Sequence, residues 1–272
     1  MSQRLSGGRF YGRLVQRRSA GELILCETRY APGTELPRHS HEHAYCCLVR
    51  QGSYTETYGT RSRTCVPSTV AFHPPGEVHS QRFADAEVWS FNVEFPAAWR
   101  QRVGSACAVL NEPTDSRDPA LVGLALRLFH EFRHWDPFSP LAAEGLVLEL
   151  LAAASRLAAR APSAAPRWLA RLEEVLQARF AEALTLAELA GEVGVHPVHL
   201  ASTFRRQRGC TVGHYLRRLR VDHACRRLAD SSDPLAAIAL DAGFADQSHF
   251  TRTFKRLTGL TPAAYRRLAR TP

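Results

Sequence analysis

Three histidines, His39, His41 and His43, stand at alternate positions in the first part of the chain, and Cys46 and Cys47 follow them. Alternate residues of a β-strand point to the same side, and imidazole nitrogens bind zinc and similar ions. Such a cluster would suit an enzyme with an open metal position, a metal sensor, or a pocket whose histidines hold no metal. The cysteines continue an apolar run, so we interpret them as core residues rather than ligands.

A second pattern, His130-Glu131-x-x-His134, matches the H-E-x-x-H signature, in which two histidines bind zinc and the glutamate activates water. Both histidines lie opposite the apolar stripe that contains Phe132, and Pro137 stops the helix soon afterwards. The sequence specifies no third ligand. We therefore expect these histidines to face outward, and we do not predict a protease.

The first third of the chain indicates strands and turns. Short apolar or β-branched runs, such as Ala44–Val49 and Thr69–Phe72, alternate with turn sequences such as Pro32-Gly33 and Pro74-Pro75-Gly76. Many short strands separated by turns are typical of an all-β barrel or sandwich. We predict a β-barrel at residues 10–105.

The pattern then becomes helical. Apolar residues three and four apart, beginning at Leu121, predict one helix, and a second helix is predicted from about Pro140 to Arg160. Two helices joined by a short loop form an antiparallel hairpin, which we place at residues 116–160. Residues 161–166 contain only Ala, Pro and Ser and predict a linker.

Beyond the linker the helical sequence repeats itself. The matching pairs are Ala187–Gly194 with Ala236–Gly243 at an offset of 49 residues, and His199, Phe204, Gly209, Thr211 and Tyr215 with His249, Phe254, Gly259, Thr261 and Tyr265 at an offset of 50. Repetition with one inserted residue indicates a duplicated unit. A capping box at Thr185-x-x-Glu188 begins a helix, and Gly194 permits a tight turn, so each unit is predicted to be a helix-turn-helix.

Positive charge is concentrated in this last part. The net charge is +9, and residues 167–272 carry 17 Arg and Lys against 10 Asp and Glu. We therefore expect an anionic partner, and nucleic acid rather than a membrane, because no basic amphipathic anchor stands out. A helix predicted from Thr211 to about Leu228 would be about 27 Å long. It would hold the two units near one DNA turn apart, roughly 34 Å.

Residues 167–270 resemble the DNA-binding domain of AraC/XylS-type transcriptional regulators. The resemblance rests on Gly243-Phe-Ala-Asp-Gln-Ser-His-Phe-Thr-Arg-Thr-Phe-Lys-Arg256, followed by Gly259-Leu-Thr-Pro-Ala-Ala-Tyr-Arg266. It implies base contacts from two sets of side chains. These are Val198, Ala201, Ser202 and Arg205 in the first unit, and Gln247, Ser248, His249 and Arg252 in the second.

The side chains of these two sets differ in what they can read. Gln and Arg can hydrogen-bond adenine or guanine edges, whereas Val198 and Ala201 would at most touch thymine methyl groups. Further cations stand on or near the same helices, and we expect most of them at phosphates. They are Arg206, Arg208, Lys255, Arg256 and Arg267.

The opening histidine stretch resembles the first cupin motif, in the form Gly33-x5-His39-x-His41-x3-Tyr45-x6-Gly52, and Pro74-Pro-Gly-Glu-Val-His79 resembles the second. In metal cupins, two histidines, a glutamate and a later histidine bind one divalent ion. The resemblance therefore implies His39, His41 and His79 as ligands of zinc or a similar ion. Tyr45 stands where the glutamate is expected, and Phe83 replaces the final asparagine. The alternative is that these residues line an organic effector pocket.

The chain thus predicts an α+β multidomain protein, with an N-terminal β-barrel (cupin or jelly roll) and an all-α C-terminal domain at residues 167–272 that carries two helix-turn-helix motifs. We expect a sequence-specific transcription regulator of the AraC/XylS type and not an enzyme. A small effector would bind in the barrel near His39, His41, Tyr45 and His79. The alternative is a cupin metalloenzyme or metal sensor fused to a DNA-binding domain.

The expected partners are double-stranded DNA, the effector, a second copy of the chain through the hairpin, and RNA polymerase, with no membrane. The amino terminus has charges but no apolar segment typical of a secretory signal. The seven cysteines are odd in number, as expected of reduced thiols. We therefore expect a cytoplasmic location.

Overall fold

The structure, a computed structural model, describes residues 2–159 and 166–270, without the side chains of residues 105–107. The predicted linker at 161–166 lies outside the described residues except for Pro166. The predicted fold class is confirmed, because strands dominate up to residue 116 and helices follow from residue 119. In the described ranges no helix is long and apolar enough to cross a bilayer.

The strands form two sheets that face each other. Within the described residues the strands are β1 (Gln3–Leu5), β2 (Arg13–Ala20), β3 (Leu23–Tyr30), β4 (Glu35–His41), β5 (Ala44–Gln51), β6 (Tyr54–Tyr58), β7 (Arg61–Cys65), β8 (Val70–His73), β9 (His79–Phe83), β10 (Val88–Phe95) and β11 (Thr114–Ser116). The sheet orders are β1-β4-β9-β6-β7 and β11-β8-β5-β10-β3-β2. Thus β1 and β11 pair with the sheets although they lie outside the predicted range 10–105.

The helices follow the sheets. A short 3-10 helix, Gly104–Leu110, comes after the first of them. The α-helices are α1 (Ala97–Val103), α2 (Pro119–Arg133), α3 (Ser139–Ala159), α4 (Arg167–Ala178), α5 (Leu186–Glu192), α6 (Pro197–Arg208), α7 (Val212–Asp230), α8 (Leu235–Asp241), α9 (Gln247–Thr258) and α10 (Pro262–Arg270). Helices α2 and α3 form the predicted hairpin, and α7 is the connecting helix between the two repeated units.

The apolar run of β5 is explained by burial on both faces of its sheet. Tyr45, Cys47 and Val49 point between the two sheets, where they join the inner core of the barrel. Cys46 and Leu48 point the other way, against the helices. A strand that is covered on both sides has no polar alternation, which is why this segment is continuously apolar.

The core on the outer side of the sheet extends into the C-terminal domain. It includes Phe91 of β10, Phe129 of the hairpin, and Phe250 and Tyr265 of the second repeated unit. The first repeated unit has a separate core, built around Leu176, Leu200 and Phe204, for example. The second unit is therefore packed on the barrel and hairpin, whereas the first unit is packed mainly on itself.

Three further contacts join the C-terminal domain to the barrel and hairpin beside this shared core. The hydroxyl groups of Ser68, in the turn after β7, and Tyr265 of α10 share a buried hydrogen bond. Asp118, the N-cap of α2, forms an ion pair with Arg218 of α7. At Gly123 of α2 the backbone approaches α9 so closely that an added Cβ would lie 1.8 Å from the carbonyl oxygen of Thr258.

Candidate functional site

The three histidines of the cupin-like motifs meet inside the barrel. His39 and His79 lie opposite each other on the paired strands β4 and β9, and His41 follows two residues later on the same face as His39. The ring centroids of His39 and His79 are 4.4 Å apart, and those of His41 and His79 are 5.6 Å apart. One nitrogen from each ring lies within 4.8 Å of the others. All three side chains are buried.

The hydrogen bonds and burial of these rings favour their neutral forms. Nδ1 of His39 lies 2.8 Å from the carbonyl oxygen of Pro37, and Nδ1 of His79 lies 3.2 Å from that of Glu77. A carbonyl only accepts, so each Nδ1 donates and each Nε2 keeps its lone pair. Burial, together with the neighbouring histidines, lowers the pKa of His39 to about 4 and that of His41 to about 2. Burial likewise lowers the pKa of His79 to about 4.

Tyr45, at the position of the missing motif glutamate, also joins the cluster. Its hydroxyl group lies 3.3 Å from Nε2 of His79, and its ring stacks on His73 with centroids 4.2 Å apart. Burial raises the pKa of Tyr45 well above its usual value. The phenol therefore stays protonated and donates to His79 rather than acting as an anionic ligand.

A second polar group, which the sequence reasoning missed, adjoins the histidines. Oε1 of the buried Glu56 lies 3.8 Å from Nδ1 of His73 and 3.8 Å from Nε2 of His79. Its Oε2 accepts from Arg63 at 2.7 and 2.8 Å, and Gln81 donates to Oε1 at 3.0 Å. Burial raises the pKa of Glu56, and Arg63 opposes that rise. The donors Glu56, His73 and His79 form a second triad that shares His79 with the first.

Aromatic residues before β2 cover this site. The ring of Phe10 lies 4.8 Å from that of His41, and the ring of Tyr11 lies 4.9 Å from that of His39. Together with Tyr30 and Phe83 from the barrel wall they leave a space of about 10 Å³, roughly the room of one water molecule. An organic effector would need Phe10 and Tyr11 to move, whereas an ion would not.

The other candidate ligands lie elsewhere. His130 and His134 are exposed, as expected, with ring centroids 4.1 Å apart. Among the described residues, groups of three or more metal-ligating side chains within bonding distance occur only in the barrel. Cys46 and Cys47 are buried core residues whose thiol pKa values are raised by burial, which agrees with their interpretation.

The two repeated units have the same local geometry. In both turns an N–H donates back to a helix carbonyl, from Val195 to Ala190 at 3.0 Å and from Phe244 to Ala239 at 2.9 Å. These pairs keep the offset of 49 residues. Each second helix ends at a glycine with positive φ, Gly209 at 66° and Gly259 at 77°. The two predicted helix-turn-helix units are therefore present in the structure.

The second helices of the two units, α6 and α9, present equivalent outer faces. Leu200, Thr203 and Phe204 are buried in α6, and Phe250, Thr253 and Phe254 are buried in α9. This pattern fixes an offset of 50 residues. The residues equivalent to Val198, Ala201, Ser202 and Arg205 are then Ser248, Thr251, Arg252 and Lys255.

The expected contacts in the second unit only partly overlap with this set. Thr251 is not among the expected contacts, because the resemblance, and not the helix register, supplied those positions. Gln247 begins α9 and is exposed, and His249 is half-buried with its ring 5.4 Å from that of Phe244.

The cations near these faces divide into two groups. Arg205, Arg206, Arg252, Lys255 and Arg256 are exposed. Arg208 is instead held by both carboxylate oxygens of Glu173, so it is poorly placed for the phosphate contact that we expected. On α7, Arg218 is ion-paired with the hairpin and Arg220 donates to two backbone carbonyl groups.

Comparison with known proteins identifies both parts of the chain. Residues 23–151 match the AraC-like ligand binding domain, and residues 189–268 match a helix-turn-helix domain. A putative AraC-like transcription regulator of Streptomyces antibioticus is 36% identical over 50% of this chain and 48% of its own length. The arabinose operon regulatory protein of Escherichia coli K12 is 27% identical over 76% of this chain and 74% of its own length.

Among solved structures, the C-terminal domain of AraT, a response regulator from Geobacillus stearothermophilus, is 28% identical, covers 40% of this chain and 92% of its own, and has a TM-score of 0.39. The chain spans about half the length of the Streptomyces relative. In this chain the match to the ligand-binding domain precedes the match to the helix-turn-helix domain. The chain belongs to the AraC family of DNA-binding transcription regulators.

Proposed function

We propose that this chain regulates transcription by binding a specific DNA sequence through both helix-turn-helix units. The observation that carries this proposal is the pair of exposed outer faces on α6 and α9, at equivalent positions of a duplicated unit and flanked by exposed arginines. Helix α7, with 19 residues, spans about 28 Å between them at about 1.5 Å per residue. This length is near the roughly 34 Å repeat of successive major grooves.

The proposal is tested by selecting a bound duplex from random DNA and measuring its affinity at several salt concentrations. Affinity should fall steeply with salt, because phosphate contacts release counterions. Arg252→Ala should weaken binding by about 1–3 kcal/mol if Arg252 reads a base. Arg171→Ala is the matched control, because Arg171 is an exposed arginine of α4 that pairs with Glu174. Equal losses in the two variants would argue against base reading by Arg252.

We propose that two chains pair through the outer face of the hairpin. Phe138 and Leu141 are 78% and 79% exposed, and Leu148 is 41% exposed. With Gly145 they follow the three-and-four spacing of a helix-pairing seam. Leu141→Glu should convert a dimer to a monomer in sedimentation equilibrium. Leu240→Glu, at a leucine of α8 that is 64% exposed, should not. A wild-type monomer at micromolar concentration would contradict this part of the proposal.

We propose that the barrel is the effector site and that His39, His41 and His79 hold a divalent ion there. The support is chemical: one nitrogen from each of three buried imidazoles lies within 4.8 Å of the others, and backbone carbonyl groups hold the rings of His39 and His79 through Nδ1. An ion at Nε2 of His79 would replace the hydrogen bond that this atom accepts from Tyr45. The triad with Glu56 is a poorer site, because the guanidinium group of Arg63 lies 3.0 Å from Nε2 of His73 and would repel a cation. When bound, the ion would supply a Lewis-acidic position for an effector donor.

Metal analysis by mass spectrometry on untagged protein, purified without chelator, tests this part. About one ion per chain is expected, lost in His79→Ala and kept in His43→Ala. His43 belongs to the same sequence stretch, but it lies outside the triad and so controls for nonspecific binding. No ion after reconstitution would overturn the metal proposal and leave an organic effector for the pocket.

The remaining roles are also proposals. We propose that the barrel binds without catalysis, in keeping with a family of transcription regulators, and that the protein acts in the cytoplasm, with RNA polymerase as a further partner. The described cysteines are all free thiols, in keeping with a reducing compartment. Turnover of a small molecule that is abolished by His41→Ala, with DNA binding intact, would instead favour a metalloenzyme.

A further inference from the structure

The outer face of α6 is poor in hydrogen-bonding groups. Val198 is 70% exposed, and neither Val198 nor Ala201 can donate or accept through its side chain. The hydroxyl of Ser202 donates to the carbonyl oxygen of His199 at 3.1 Å, so its proton is already engaged within the helix. Only Arg205 presents free donors on this face. By contrast, the equivalent positions of α9 include Ser248, Arg252 and Lys255.

The surface beside this face is also apolar. A groove runs along α6, and Leu184, Leu186 and Leu216 contribute to its walls together with Val198 and Ala201. Leu186 at the start of α5 is 38% exposed. Exposed apolar side chains of this size usually mark a contact surface when they lie together. The rim of the groove is cationic, because Arg205 and Arg206 line it as well.

In the major groove of DNA, the C5 methyl group of thymine is the apolar group that a base pair presents. We propose that α6 reads its part of the DNA site mainly through thymine methyl groups, with Val198 and Ala201 as the contacts and Arg205 as the single hydrogen-bonding reader. The proposal rests on the DNA-binding function proposed above and deepens it. A nucleic-acid occupant is favoured over a protein because the rim is cationic and the face is equivalent to that of α9.

The two units then divide the reading of the site. The segment under α6 is recognised by shape and methyl groups, and the segment under α9 by hydrogen bonds from Arg252 and its neighbours. Burying one methyl group changes affinity by about fourfold. The first unit therefore discriminates only weakly between bases at each position, and it prefers thymine. The second unit prefers guanine, which arginine can bind through two hydrogen bonds.

The experiment uses full-length protein and the duplex selected above, with thymines replaced one at a time by uracil. This exchange removes only the methyl group and keeps base pairing. We expect affinity to fall about fourfold at one or two positions under α6, relative to the unmodified duplex. In Val198→Ser the sensitivity should be lost at the thymine that Val198 contacts and kept at a thymine that Ala201 contacts. The converse variant Ser248→Val, at the equivalent position of α9, should gain sensitivity to uracil under the second unit.

Several outcomes would overturn the inference. Affinity unchanged by every uracil replacement, with sequence-specific binding intact, would refute methyl reading alone. Uracil sensitivity that is undiminished at every position in Val198→Ser would show that Val198 makes no methyl contact. Unchanged DNA affinity in Val198→Ser, with loss of transcription activation in a purified system, would indicate a protein partner on this face. If no duplex is selected at all, the proposed function itself fails.

Discussion

The substitution Gly123→Ala should release the second helix-turn-helix unit from the sensor while leaving the first unit intact. Gly123 lies in the middle of α2, where its Cα faces the end of α9. An added Cβ would lie 1.8 Å from the carbonyl oxygen of Thr258 and 2.7 Å from the carbonyl carbon. A comfortable carbon–oxygen contact is about 3.3 Å, so the two helices would have to part by about 1.5 Å.

The size of the effect follows from two opposing contributions. Alanine is preferred over glycine within a helix by about 1 kcal/mol. Overpacking a rigid contact costs about 1–3 kcal/mol, and the obstacle here is backbone rather than a flexible side chain. We therefore expect a net loss of up to about 2 kcal/mol where α9 and α10 dock. Amide exchange in α9 and α10 should become about tenfold faster, since each 1.4 kcal/mol is a factor of ten.

Hydrogen exchange measured by mass spectrometry on the full chain checks this expectation. Peptides from α4 to α6 should exchange as in the wild type, because the first unit has its own core. Gly145→Ala on α3 is the matched control: a Cβ there meets nothing within 4 Å, so only the gain in helix propensity remains. If Gly123→Ala were as stable as Gly145→Ala and protected α9 equally well, the close packing of α2 on α9 would be refuted.

Three further substitutions test separate parts of the structure. Glu94 is 1% exposed, and burial raises its pKa to about 7. Between about pH 4.5 and 7 the folded state keeps this proton while the unfolded state loses it. The free energy of unfolding of the wild type should therefore fall by up to about 3 kcal/mol as the pH rises through that range. Glu94→Gln should remove this fall in urea titrations at pH 5 and 8, whereas Glu35→Gln, at an exposed ion pair, should not. Thr185→Ala removes a capping box whose Oγ1 accepts from the N–H of Glu188 at 3.2 Å, and should destabilise α5 by about 1 kcal/mol, seen as faster exchange in the first unit only. Asp118→Asn should lower stability less than Asp118→Ala in thermal melts, because asparagine still caps α2 and loses only the ion pair with Arg218; equal losses would show that the cap contributes nothing.

The sequence predicted the elements better than their assembly. Gly-Pro punctuation predicted the barrel, and the duplication with its caps predicted both helix-turn-helix units, because these signals are local. The resemblance to the cupin motifs implied the histidine triad, and the pairing of β4 with β9 brings His39 and His79 together. Glu56 and His73 were missed because their placement depends on the pairing of β6 with β9 and of β5 with β8, which no local pattern specifies.

The packing of the second unit on the sensor was also not predictable from local patterns. Its buried residues, such as Phe250 and Tyr265, show helical periodicity that is equally consistent with a core of their own. The two units differ in the surface on which they pack. The second unit packs on the barrel and hairpin, whose contacting residues lie more than 100 positions earlier in the chain. Gly123 is one local signal of this packing, because a glycine within a strong helix pattern often marks a close contact with another element.

The shared core connects the barrel site to the second helix-turn-helix unit. On β5, Tyr45 contacts the histidine cluster from one face of the sheet, and its neighbour Cys46 packs into the shared core from the other. At the turn before β8, Ser68 is hydrogen-bonded to Tyr265. A ligand that displaces Tyr45 therefore acts one residue away from the surface that holds the second unit. If an effector bound there changes the affinity for DNA, the coupling is reciprocal, and DNA should change the affinity for the effector by the same factor. A titration of effector with and without bound DNA measures that factor, and equal affinities in the two titrations would show that the barrel site and the DNA-binding unit are not coupled.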